Sequence, residues 1–319
     1  MMKTAGARDR GFPISDVSGT MGDIDLNCSF LSDRAQEVTF VNTRKSHNRL
    51  KTAFSGGRTR VVESLAEPPV RFVQPKVDGD AALVFVSAFG GGMLEGDDYR
   101  FDLEAGEGST LMFAPQANTR VFPCPDGAVT RQHTRGTVYA RATAVSGGDP
   151  TVLYAGSRFH QTQTWTLHPG SRLALMDWFV AGRLERGESF AFDGFESEIR
   201  VEDPEGRPLL SDALRVSPGD GARAGMGGFA SHLAAYVVGE GWETVHRGLD
   251  AFLRAAGEGE RPAWMDASRI AGLGVREGVG CSLRALGADR AALEPLAGKL
   301  FELLSSREWL GFDYWKRKY

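Results

Sequence analysis

"FGGGMLEGDDYRFDLEAGEGSTLMFAPQANTRVF", Phe89 to Phe122, opens on three glycines, crosses an acidic cluster and runs on into alternating sequence. In its "YRFDLEA" segment, Tyr99, Phe101 and Leu103 fall on one side of an extended chain; Arg100, Asp102 and Glu104 fall on the other. A side-chain period of two belongs to a strand with one wet face. Just upstream, "ALVFVSAF" (Ala82–Phe89) is a continuous apolar run of strand length, as a buried strand requires. "STLMFA", "GTVYARATAV", "TVLY", "QTWTL", "RLALMDWFVA", "SFAF" and "SEIRV" follow at short intervals with turn residues between them. That spacing predicts a mainly β fold: layered antiparallel or mixed sheets of many short strands.

Helical periodicity appears only in the C-terminal third. Trp242, Val245, Leu249, Phe252 and Leu253 share one face of a helix over 242–256, and Gly257 is a suitable stop. Leu293, Leu296, Leu300, Phe301 and Leu304 do the same over 291–304. Between them, "IAGLGVREGVGCSLRALG" reads as two strands. Residues 1–48 are polar and glycine-punctuated and read as a poorly structured leader, with one short strand at Glu37–Val41. Residues 49–319 then form a single β-rich domain. No internal repeat of fixed period is visible.

The glycine corner is not a phosphate loop. Gly91 and Gly96 have the spacing of one, but Asp97 and Asp98 stand where lysine and a hydroxyl residue are needed. The dinucleotide fingerprint fails at its third glycine, which is Glu95, and a strand follows instead of a helix. The acids lack the spacing of a calcium loop. On physical grounds the stretch is a tight corner between strands whose acids face water.

Bulk composition excludes other classes. The net charge of -4 argues against a nucleic-acid surface. No run of about 20 apolar residues offers a membrane span, and no secretory signal is visible. Cys28, Cys124 and Cys281 are few and scattered, which suggests a reducing compartment and no disulfide framework. With no C-x-x-C pair and no H-x-H or H-E-x-x-H among six histidines, a closed metal cage is not expected. Cys124, between two prolines in "FPCPDG", is either a small buried turn residue or a presented thiolate. "GRLERGE" (Gly182–Glu188) reads as a solvated hairpin or a charged channel mouth. Its Glu185 and Glu188 are one of many carboxylate pairs that an alternative reading, a β-rich hydrolase, could use. The aromatic tail "EWLGFDYWKRKY" suits either the chain's own core or a partner.

Three strings in order carry a resemblance. "GGGMLEGD" supplies Gly90, Gly91, Gly92, Gly96 and Asp97. "PQANTRVF" supplies Gln116, Thr119, Arg120, Val121 and Phe122. "LALMDWFVAGRLERGE" supplies Asp177, Gly182, Arg183, Gly187 and Glu188. Together they resemble the UreD (UreH) family of urease accessory proteins, over roughly residues 50–285. Ala114-Pro115 departs from the family's usual threonine before the glutamine, and the first 50 residues have no counterpart.

The resemblance implies a non-enzymatic scaffold and metallochaperone of the cytoplasm. It implies binding to the urease apoprotein with UreF and UreG, and leaves room for a homodimer within that accessory complex. It implies nickel in transit and no tightly bound cofactor, nucleic acid or membrane. Weak, exchangeable oxygen ligands suit such transit, and Asp97, Asp177 and Glu188 are the candidates for a transfer path. Each is equally able to bond turn N–H groups beside a glycine. An interaction scaffold without metal traffic remains a further alternative.

Overall fold

The computed structural model describes residues 44–218, 221, 225–257 and 278–318. The main unit begins at Val41. Its first strand, β1 (Lys45–Ser55), starts within the stretch read as leader, and the strand expected at Glu37–Val41 lies outside the described residues.

Two stacked sheets form the body. The chain visits them alternately: β4 (Ala82–Ala88), β6 (Thr110–Pro115), β9 (Thr143–Ser146) and β12 (Arg172–Val180) in one; β5 (Asp98–Ala105), β8 (Thr130–Val138), β11 (Arg158–Leu167) and β13 (Gly194–Glu202) in the other. Within each set all pairings are parallel. Parallel neighbours need a long crossover, which is usually a helix; here the crossover is a strand of the opposite sheet. The result is a two-sheet coil. Its rungs stack Phe101 on Thr134, Thr134 on Gln163 and Gln163 on Ile199. A third, narrow parallel stack runs at the corner of the rungs: Met93 bridges Val121 of β7 (Thr119–Val121), which pairs with Leu153 of β10 (Thr151–Leu153), which pairs in turn with the end of β12.

Antiparallel strands close the ends. β2 (Arg58–Leu65) flanks β1, and β14 (Pro208–Val216) flanks β13. β3 (Val70–Val73) flanks β4; β15 (Ser231–Gly239) and β16 (Gly280–Gly287) extend the sheet beyond β12. β16 covers part of the stretch read as two strands; residues 270–277 lie outside the described residues.

Burial follows these layers. Tyr99, Phe101 and Leu103 of β5 are buried between the sheets, while the other face of their sheet is wet. β12 is apolar on both sides for a reason. Leu173, Leu175 and Phe179 enter the inter-sheet core; Ala174, Met176 and Trp178 pack under the helices. Those helices are α1 (Trp242–Gly257), α2 (Arg290–Leu304) and the short α3 (Tyr314–Lys318). The Asp289 carboxylate caps α2 by accepting from the Ala292 N–H at 2.9 Å. The aromatic tail joins this second core: Trp309 and Tyr314 are buried, and Tyr314 stands 4.5 Å from Phe301, ring to ring. Tyr319 lies outside the described residues.

"SFAF" is not a strand. Phe190 takes a left-handed φ of 55°, and Phe190 and Phe192 plug the inter-sheet core without a strand partner. Their alternating burial mimics a strand's pattern. "GRLERGE" is not a hairpin either: Leu184–Arg186 make one 3-10 turn that ends on left-handed Gly187.

Gly136 pairs with Trp165 on the neighbouring strand, and a Cβ there would stand 2.0 Å from the indole. Gly136→Ala should therefore cost about 1–3 kcal/mol or more by overpacking, read as a lowered urea midpoint. An unchanged midpoint would show that Trp165 has room to move.

Candidate functional site: a polar cavity at a gap in the sheet

β9 stays paired with β12 only as far as Ser146 and Leu175. Pairing on that side resumes through β10 at Thr151 and Phe179. Met176, Asp177 and Trp178 thus border a break in the sheet. The chain turns its corner at the same height in three successive rungs: at 88–92, 116–120 and 147–151. A cavity of ≈ 400 Å³ occupies the break and runs inward between the sheets.

Its inner wall is polar where the core around it is apolar. β11 points Phe159, Gln161, Gln163, Trp165 and Leu167 inward, so two glutamines interrupt an apolar row. Gln132 and Thr134 of β8 continue the polar patch. Across from them, Asp177 accepts from Gln161 Nε2 at 2.7 Å and from Ser197 Oγ at 2.6 Å. Burial in the wall pushes the Asp177 carboxyl up from the ordinary carboxylate range, against the two hydrogen bonds. Asp177 is one of the residues that line the cavity. Behind it, Asp212 pairs with Arg284 and accepts from the Tyr236 hydroxyl. Burial and the Arg284 charge lower the nearby His232 to about 4, so that imidazole is neutral in the fold.

The family strings converge on this place in part. Gly91, Gly92, Gln116, Thr119, Arg120 and Asp177 all line the cavity. Gly90 and Gly91 turn the corner with φ of 93° and 76°, a conformation side chains disfavour. Gly92 has no room for a side chain: a Cβ would meet Arg120 O and the Phe122 ring at 2.6 Å.

Asp97 lies elsewhere. Its side chain is fully buried behind the corner, where it accepts from Arg44 Nε and the Leu94 N–H at 2.8 Å each, and from the Tyr99 hydroxyl. It does not face water as the corner reading expected; it ties the corner to β1 and β5.

Glu188 is likewise held. It forms a two-pronged ion pair with Arg183, whose guanidinium lies 4.3 Å from the Tyr154 ring centre. Gly182 lies against the Glu188 carbonyl, 2.6 Å from where a Cβ would be. The string "GR…GE" is thus a latch between one rung and the next. Glu185 is exposed on the 3-10 turn, and neither it nor Glu188 lines the cavity. Neither carboxylate of the hydrolase reading therefore faces the cavity.

Cys124 is buried, with the Arg158 N–H pointing at its sulfur at 3.4 Å. No group of three or more His, Cys, Asp or Glu residues that could hold a metal occurs among the described residues. No helix among them is long and apolar enough to cross a membrane.

The residues that the sequence reading missed are Gln132, Thr134, Gln161, Gln163 and Ser197. Their signal was present as polar residues at inward positions of otherwise apolar strands. Only the neighbouring rungs show that these breaks align.

A parallel two-sheet coil whose crossovers are strands, with a cavity opened by a gap in one sheet, is the class of protein this fold defines. The model of the UreD urease accessory protein family matches residues 44–315, and the chain belongs to that family. The urease accessory protein UreD of Sorangium cellulosum is 35% identical over 258 residues, 79% of this chain and 81% of that protein. The UreD of Cytophaga hutchinsonii is 29% identical over 277 residues, covering 84% and 96%. A plant relative, urease accessory protein D of Oryza sativa subsp. indica, is 30% identical over 164 residues, half of this chain and 53% of its own length.

Two outcomes follow for stability. Arg44→Ala strips the charged partner from fully buried Asp97 and should cost about 1–3 kcal/mol in denaturant unfolding. Second, His232 is neutral in the fold down to about 4, whereas the unfolded chain protonates it from about 6.5. The unfolded state therefore binds more protons in that window, and stability falls as pH drops from 6.5 to 4, by roughly 3 kcal/mol from this group. His232→Leu should flatten that part of the profile. An identical slope in both proteins would assign the pH dependence to other groups.

Proposed function

We propose that this chain is a urease maturation factor of the cytoplasm, a scaffold that binds the urease apoprotein with UreF and UreG and passes nickel along the cavity beside Asp177. One observation carries the reading. Six residues of the family strings, Gly91, Gly92, Gln116, Thr119, Arg120 and Asp177, line one cavity at the break in the sheet. Outside that cavity, Asp97 and Glu188 serve as buried or latched ion pairs.

The chemistry of the lining suits cargo in transit. Amide oxygens of Gln132, Gln161 and Gln163 and the Thr134 hydroxyl are neutral, weak donors for a divalent cation. Asp177 is the one carboxyl among them on the inner wall. Burial raises its proton affinity, and a cation beside it offsets the buried charge. A closed cage of thiolates and imidazoles would bind nickel too firmly to release it.

The test co-expresses urease with its other accessory proteins, with this chain, without it, and with Asp177→Ala. Active, nickel-loaded urease is expected only with the chain. The variant is expected to assemble normally yet lower urease nickel by roughly tenfold, the low end for losing a metal-site partner. Equal loading without the chain sinks the maturation role. Full loading with Asp177→Ala leaves a scaffold without metal traffic.

A further inference from the structure

Met93, Val121 and Leu153 lie side by side in the narrow stack at the corner of the rungs, and all three are buried. Successive residues of an extended chain point to opposite sides, so their neighbours face outward. In one row the register sets Leu94 beside Phe122 and Phe122 beside Tyr154, whose rings meet edge to face at 5.3 Å. In the row before it Arg120 lies beside Val152. A Cβ on Gly92 would meet both the Arg120 side chain and the Phe122 ring, which fixes their common side. Leu94 is 47% exposed, and Phe89, at the start of the same corner, 61%. Phe122, Val152 and Tyr154 are half-buried.

The sides of the coil thus differ. Helices cover the broken sheet. The wet face of the other sheet carries ion pairs such as Lys51 with Glu104 and Arg215 with Glu196. The corner face is apolar around one cation. The Arg120 guanidinium stands over the glycine corner, 3.9 Å from where a Cβ of Gly91 would be. Among the described residues no carboxylate pairs with it. Arg183, which borders the face at Tyr154, is by contrast neutralised by Glu188.

We propose that this corner face is where a partner protein docks, and that the partner presents an apolar patch holding an acidic side chain that pairs with Arg120. Contiguous apolar side chains left in water on one side of a folded chain mark an association surface. Aromatic residues and arginine are enriched at the centres of such surfaces. The charge selects the occupant. A guanidinium that loses its water inside an apolar contact is costly unless a carboxylate meets it, and its planar fork holds a carboxylate by two bonds. A neutral or basic partner surface would strand that charge. A nucleic-acid backbone needs several cations in a row, and the face offers one.

The identity of the partner rests on the maturation reading, so the test takes the urease apoprotein, UreF and UreG, singly and together, with the full chain. Arg120→Glu should weaken the complex at least about tenfold in a binding titration. Leu94→Glu, at a position outside the cavity lining, should do the same. Both side chains are exposed, so thermal unfolding should match that of the unsubstituted chain. Arg120→Lys keeps the charge and supplies an amine. Carbodiimide treatment of its complex should join that amine by an amide bond to an aspartate or glutamate of the partner, located by mass spectrometry.

Unchanged affinity of either glutamate variant, or no link from position 120 in a complex that has formed, overturns the docking face and leaves the maturation reading standing. A link that the isolated chain already forms, to itself or to a second copy, overturns it too, because the face then has another cover. If the unsubstituted chain binds none of the three proteins, the maturation reading falls and the docking face falls with it.

Discussion

The register between parallel rungs is the constraint on which this molecule depends. Without crossover helices, each parallel strand can be reached only by way of the other sheet, so the corners between sheets recur once per rung. Phe101, Thr134, Gln163 and Ile199 are then brought side by side although 29 to 36 residues separate neighbours in the chain. The same stacking aligns the three corner loops that leave Met176, Asp177 and Trp178 without a partner on one side. The break beside β12 opens a cavity because the corner loops of successive rungs gather at it.

Opposite solvents act on the two faces of the broken sheet and the wet face of its partner. The broken sheet is buried twice, against the inter-sheet core and against the helices, and β12 presents apolar residues to both. The other sheet has water on one face and alternates cleanly. Polar side chains directed inward are affordable only where they satisfy one another or line a cavity. Gln161 and Asp177 do both, and Ser197 bonds to each of them.

Family strings have divided roles. The glycines of the corner let successive rungs approach closely; Gly92 lies where any side chain would meet Arg120 and Phe122. Asp97 and Arg44 pin the corner, and Arg183 with Glu188 and Tyr154 pins the later turn. Asp177, by contrast, faces the cavity. Charge spacing in the sequence could not separate these roles, because an acid beside a glycine looks the same whether it braces a turn or faces a passage.

By itself the sequence determined the β class, the alternation of β5, the two apolar faces of β12 and both long C-terminal helices, because burial on a single element writes its own period. It also held the family strings in order. It misread "SFAF", whose alternation comes from two aromatic plugs, and it hid the coil, whose rungs differ in length and share no repeated motif. Tertiary structure alone decided where the cavity lies and which acids line it. Those facts depend on pairs such as Gln161 with Asp177 and Arg290 with Asn118, which meet only when distant rungs and a late helix are packed together.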